Sequence, residues 1–302
     1  MRRATGFAVA AVVTALLGRI GTAAAYFDES DIGVRSVGFG RAFTAIADDA
    51  SAIYWNAAAL DGHFGSEFMF TYSRPYAVDG VASNYLAVVR PFSFAGAGLS
   101  WHHFGARDIL SEDMFTLALG RQVWSGASGT TLSLGAALKL ARIAATPYND
   151  PETLARIDDG SSTQFTGDLS ARVRFSNRMC VAATLLNLGS PEFDLVEGGL
   201  GGAELPTLYR VGAAWQWHDE STISIDLQKV DETDTELNVG GELWFYRSFA
   251  IRAGVSSDLG AAGGATLRAH SWILDLVALA NRPLGTSYRL ALRIPFGQGA
   301  AR

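Results

Sequence analysis

One cysteine, Cys180, stands in 302 residues, so the chain holds no intramolecular disulfide framework and no cysteine-cluster metal site. Charge is sparse as well. Charged residues make up 18% and the formal net charge is −6, which excludes a nucleic-acid binder acting through bulk charge. Past the N-terminus no uncharged run reaches the roughly 18–20 apolar residues of a spanning helix. Apolar and aromatic content, at 49% and 11%, is too high for a disordered chain. Glycine is abundant, 33 residues, above the average usage of about 7%. The mean hydropathy of +0.16 is high for a soluble domain and low for a bundle of membrane helices.

The first 25 residues read as an export signal. Met1-Arg2-Arg3 is a basic start, Ala4 to Gly18 is uncharged and apolar, and Ala23-Ala24-Ala25 fits a small-x-small cleavage site before Tyr26. Arg19 breaks the run before it reaches spanning length. Without residues 1–25 the net charge becomes −9, because Arg2, Arg3 and Arg19 leave with them. An exported chain of this composition is either a soluble protein outside the cytoplasm or a membrane β-barrel.

Alternation then dominates. Phe165, Leu169, Ala171, Val173 and Phe175 oppose Gln164, Thr166, Asp168, Ser170, Arg172 and Arg174. Tyr209, Val211, Ala213, Trp215 and Trp217 share one parity, as do Leu290, Leu292, Ile294 and Phe296. A period of two puts successive side chains on opposite faces of a strand. The runs of about 9–12 residues exceed the usual soluble strand and match a tilted transmembrane strand. One parity carries mixed-sign charge: Lys139, Asp168, Arg172, Arg174, Arg210, Asp226, Glu242, Arg252, Arg268, Asp275, Arg289 and Arg293. In a barrel these line the lumen.

The expected fold is all-β: a transmembrane antiparallel β-barrel of about fourteen strands. They are placed at 63–74, 81–91, 94–105, 112–123, 130–141, 162–175, 178–188, 206–217, 221–230, 235–246, 248–257, 264–270, 272–281 and 286–296. Those at 81–91, 178–188, 264–270 and 272–281 alternate poorly, so twelve strands stays open. Short connections take turns with long ones at 142–161, 189–205 and 257–263, as in bacterial barrels with short periplasmic turns. Aromatic residues including Phe92, Phe94, Trp124, Trp217, Trp244, Phe245, Phe249, Trp272 and Phe296 fall near the short-turn ends, where a girdle at headgroup depth is expected.

Residues 26–62 do not alternate. The run from Gly33 to Asn56 carries Arg35, Gly38, Gly40, Phe43, Asp48, Asp49, Tyr54, Trp55 and Asn56 in the order G-V-R-S-V-G-F-G-R-A-F-T-A-I-A-D-D-A-S-A-I-Y-W-N. It resembles the N-terminal motif of the PorV/PorQ family of outer-membrane proteins, relatives of FadL-type hydrophobic-compound channels. Leu186-Asn187-Leu188-Gly189 and Pro283-Leu284-Gly285 are similar to later family segments. The resemblance implies a fourteen-stranded barrel in a bacterial outer membrane whose N-terminal segment folds inward as a hatch. It divides the chain into signal 1–25, hatch 26–62, barrel 63–296 and tail 297–302. The family's Asn-Pro-Ala-Gly is here Asn56-Ala57-Ala58-Ala59, which leaves the turn into strand one less fixed. A short helix is expected over 41–50, with Asp48 and Asp49 meeting lumen arginines such as Arg289 or Arg293.

Reaction chemistry is thin. His102 and His103 are adjacent in a strand, so they point to opposite faces and do not share a metal. Ser100 and His102 share a parity, but no acid accompanies them to complete a hydrolase triad. Gly38-Phe39-Gly40 lacks the third glycine of a nucleotide fingerprint. The expectation is a non-enzyme without cofactor or metal, and without a nucleic-acid partner. Gly96 and Gly98 mark either a lateral wall opening or small lumen filler. Two functions follow from the resemblance. One is a secretion or surface-attachment partner in a type IX-like pathway, receiving exported proteins at the long loops. The other is a FadL-like conduit for a small hydrophobic ligand, with membrane lipid around the wall.

Overall fold

A computed structural model describes residues 32–61, 65–107, 109–126, 128–145, 148–149, 156–157, 160–194, 203–218, 221–230, 234–281 and 285–297. The expected signal 1–25 and the tail past Gly297 lie outside them. Fourteen strands close into one antiparallel barrel. They are β1 Ser66–Arg74, β2 Val81–Pro91, β3 Gly96–Ala106, β4 Leu110–Ser125, β5 Thr131–Ala145, β6 Ser161–Arg174 and β7 Met179–Leu186. The circuit continues with β8 Leu208–His218, β9 Ser221–Val230, β10 Glu236–Phe245, β11 Phe249–Ser256, β12 Gly260–Arg268, β13 Ile273–Asn281 and β14 Gly285–Phe296. Each strand pairs with its neighbours in sequence, and β14 returns to β1 with Phe296 opposite Ser66. Closure leaves no unpaired sheet edge, which is the condition for a sheet to sit in lipid.

The period of two does what it predicts. Leu138 (69% exposed) and Phe165 (79%) stand on the outside, while Lys139 and Asp168 are buried within. The apolar content of the wall is therefore mostly an outer coat. Inside, the core is made by the segment ahead of β1. Within residues 32–60 only Asp48 is exposed. Phe39, Phe43, Ile53, Trp55 and Leu60 form one cluster with the inward wall residues Met69, Tyr85 and Val89.

Three sequence expectations need correction here. The segment 41–50 is a series of turns, and the helices flank it as α1 (Val34–Gly38) and α2 (Ala52–Trp55). Arg41 and Ala47 have positive φ (71° and 33°), a conformation no helix interior accepts. The connection expected at 257–263 is only a tight turn, because β12 already starts at Gly260. Its Gly-Ala-Ala-Gly-Gly start carries too little side-chain contrast to alternate visibly. Trp244 leaves the girdle: it lies half-buried on the lumen parity, with the Arg268 guanidinium 4.0 Å from its ring. Phe92, Phe94, Trp124, Trp217, Phe245, Phe249, Trp272 and Phe296 do face outward near the short-turn end.

Candidate functional site: the hatch against the lumen wall

Glycine lets the hatch touch the wall directly. Gly40 has φ +61°, and a Cβ there would lie 2.4 Å from the Val255 backbone nitrogen. Across the contact, a Cβ on Gly254 would lie 2.2 Å from the Gly40 nitrogen. Gly96 and Gly98 serve the same purpose. A Cβ on Gly96 would strike the Leu60 carbonyl oxygen and one on Gly98 the Ile53 side chain. β3 pairs without a break to both β2 and β4 through these residues. They seat the hatch here, and the described ladder runs through both positions.

Charge ties the two parts together in a chain of alternating sign. Arg35 of α1 pairs with Asp48 and with Asp49 (3.4 Å) inside the hatch and donates to Glu242 of the wall (2.9 Å). Glu242 also accepts from Arg252 at 2.9 Å. Arg252 reaches Asp275 at 3.2 Å, and Asp275 accepts from Arg293 at 2.8 Å. Arg293 pairs with Glu67 at 3.3 Å, and Glu67 accepts the Ala50 N–H of the hatch at 2.8 Å. The relay starts and ends on the hatch. Asp48 and Asp49 both pair with Arg35, because the 41–50 turns fold back onto α1, and Asp49 also lies within electrostatic range of Arg293, one of the arginines expected. Burial works against the Arg35 charge, yet Asp48, Glu242 and Asp49 hold its pKa well above the ordinary arginine value. An unpaired ion in such a place would cost several kcal/mol (about 3–5).

Other motif residues are used in turn. Asp226 accepts the Phe43 and Thr44 N–H groups at 3.0 and 2.8 Å. Arg210 donates to the Tyr54 hydroxyl at 3.0 Å and lies 4.2 Å from the Trp55 ring. Asn56 donates to the Thr44 carbonyl and accepts from the Ala58 N–H, which starts the Ala57–Leu60 3-10 turn. Gly38 packs on Arg252, where a Cβ would meet its side chain. Lys139 pairs with Asp168 at 2.8 Å on the loop side of the lumen. Arg172 holds Asp61 at 3.3 Å. Arg289 is buried on the lumen face, and Arg174 lies half-buried near the short-turn mouth.

Sequence reading missed Glu67, Asp61 and the loop anchor Phe193. Glu67 shares the parity of Met69 and Thr71, a signal that was present. Phe193, from the connection between β7 and β8, is fully buried with Met114, Ala141, Ile143 and Leu205 in a second apolar cluster. His102 faces inward and bonds Ser83 at 2.9 Å, not Ser100, while His103 pairs with Asp113 at 2.9 Å.

A closed antiparallel barrel with an apolar coat, charged lumen and inward hatch is a bacterial outer-membrane barrel. No known protein-family profile matches the chain, and no curated relative does. Solved structures share the architecture. One similar structure is a monoaromatic hydrocarbon channel, CymD, at TM-score 0.62 and 13% identity, covering 90% of this chain and all of that one. Another is a FadL homologue from Pseudomonas aeruginosa, at TM-score 0.56 and 13% identity, covering 93% and 100%. A third is the P. putida toluene transporter TodX, at TM-score 0.54 and 10% identity, covering 82% and 94%. At these identities the likeness is one of fold.

Proposed function

We propose that this barrel is a conduit carrying small hydrophobic compounds across the outer membrane. The supporting observation is a pair of apolar sites on opposite sides of one stretch of wall. On the lumen side of β4 and β5, Met114, Ala141 and Ile143 form the apolar cluster with Phe193. On the lipid side of the same strands lies a concavity of about 630 Å³ bounded by Phe68, Leu99, Trp101, Phe115, Leu138 and Phe165. Apolar sites with few polar groups suit apolar ligands. The hatch fills the straight route, so passage requires movement of the hatch or of the wall between the two sites.

The solved channels of like fold support the conduit by analogy only. The secretion-shuttle role, and PorV/PorQ membership itself, rest on the sequence resemblance alone, at 33–56 and the later segments, and nothing in the described lumen favours them. The test is uptake of radiolabelled toluene by cells whose outer membrane contains the barrel. Uptake should rise severalfold over cells lacking it. Equal uptake would overturn the proposal.

A further inference from the structure

We infer that the short-turn mouth of the barrel holds an oxyanion-binding site. Between the hatch turn and the wall from β6 to β9 lies a polar pocket of about 240 Å³. Arg172, Arg174, Arg178, Gln216, Thr222 and Asp48 are among its lining residues. Two of these charges are already matched: Arg172 by Asp61 at 3.3 Å and Asp48 by Arg35. Among the described residues neither Arg174 nor Arg178 joins an ion pair within 4.0 Å, and Arg174 feels the like charge of Arg172 more than the opposite charge of Asp61, which Arg172 already holds. The relay on the far wall alternates in sign, whereas the described lining of this pocket carries Arg172, Arg174 and Arg178 against Asp48.

Arg172 and Arg174 repel each other beside the exposed Arg178, and an anion among the three converts that repulsion into attraction. Their planar forks fit the paired oxygens of a phosphate or carboxylate. The polar lining suits a head group or a small solute rather than a hydrocarbon. The ligand chemistry is therefore an oxyanion, either a free solute or the head of an amphiphile. The amphiphile source rests on the conduit reading; the site itself does not.

Isothermal titration of the full chain in an uncharged detergent, with sodium phosphate and with dodecyl phosphate, tests the site. Saturable phosphate binding is expected. It should weaken at least about tenfold in the Arg174→Ala/Arg178→Ala double variant. A second variant, Ala214→Glu, keeps both arginines and sets a carboxylate in the pocket; the same loss is expected. Heat-modifiable gel migration identifies folded variants. Tighter binding of dodecyl phosphate assigns the site to an amphiphile head, and equal binding assigns it to a free anion; both support it. No saturable phosphate binding by the wild type, or undiminished binding by both folded variants, overturns it. Phosphate binding without hydrocarbon uptake would overturn the conduit and leave this site standing.

Discussion

Replacing Arg35 with alanine should release the hatch while leaving the wall intact. The guanidinium joins Asp48, Asp49 and Glu242, and it lies 5.5 Å from the Phe43 ring centre. Removing one member of a buried ion group costs about 3–5 kcal/mol. The lower end applies here, because Glu242 keeps Arg252 and Asp49 keeps the Ser51 N–H. About 3 kcal/mol, at 1.4 kcal/mol per decade, raises the population of the opened hatch by roughly 150-fold. Amide hydrogen exchange in detergent reads this directly. Hatch amides such as Phe39, Gly40 and Ala47, which bond within the segment, should exchange about two decades faster. Amides of the β4–β5 ladder, remote from Arg35, should keep their rates. Unchanged hatch protection, or equal acceleration in hatch and wall, would refute the argument. A cycle with Glu242→Gln should show a coupling of about 1–3 kcal/mol, since the two residues share one network.

Gly254→Val should prevent the hatch from seating, because its Cβ would overlap the Gly40 nitrogen; loss of heat-modifiable migration, or of hatch protection, is the expected readout. Arg210→Lys keeps the charge but loses the flat contact with Trp55, and hatch exchange should accelerate by about five- to thirtyfold, equivalent to about 1–2 kcal/mol. Phe193→Ala empties a fully buried loop anchor, at a local cost of about 3–5 kcal/mol; limited proteolysis should then cut the connection between β7 and β8 faster while the barrel survives. In a Cys180→Ser background, a cysteine at Asp79 should react with an impermeant maleimide on intact cells, and one at Asn177 only after permeabilisation. The reverse pattern would invert the assigned orientation.

The wall was readable in the sequence because lipid and lumen impose opposite chemistry on alternate residues, and a period of two survives in one dimension. Where side chains are too small to show that contrast, as from Gly260 to Gly264, the reading fails. The lumen position of the charges was equally visible. Their partners were not: Arg35 and Glu242 lie 207 residues apart, and only the path of the hatch brings them together. The motif located the hatch, yet the turns at Arg41 and Ala47 depend on the wall they press against. The same limit affected Gly96 and Gly98, since a small residue in a strand looks alike whether it faces a gap or a neighbour's backbone.

The seam between β1 and β14 sets an order of events during assembly. Glu67 and Arg293, 226 residues apart, meet across it, so the cylinder stays open until the last strand is delivered. Contacts of such long range are slow to form. The hatch precedes β1 in the chain, yet its side chains are enclosed by strands made much later. It must therefore already lie against the growing sheet when the seam zips. A chain ending before Gly285 would leave β1 and β13 with bare edges in the bilayer, and it would expose the hatch to whichever protease clears incomplete barrels.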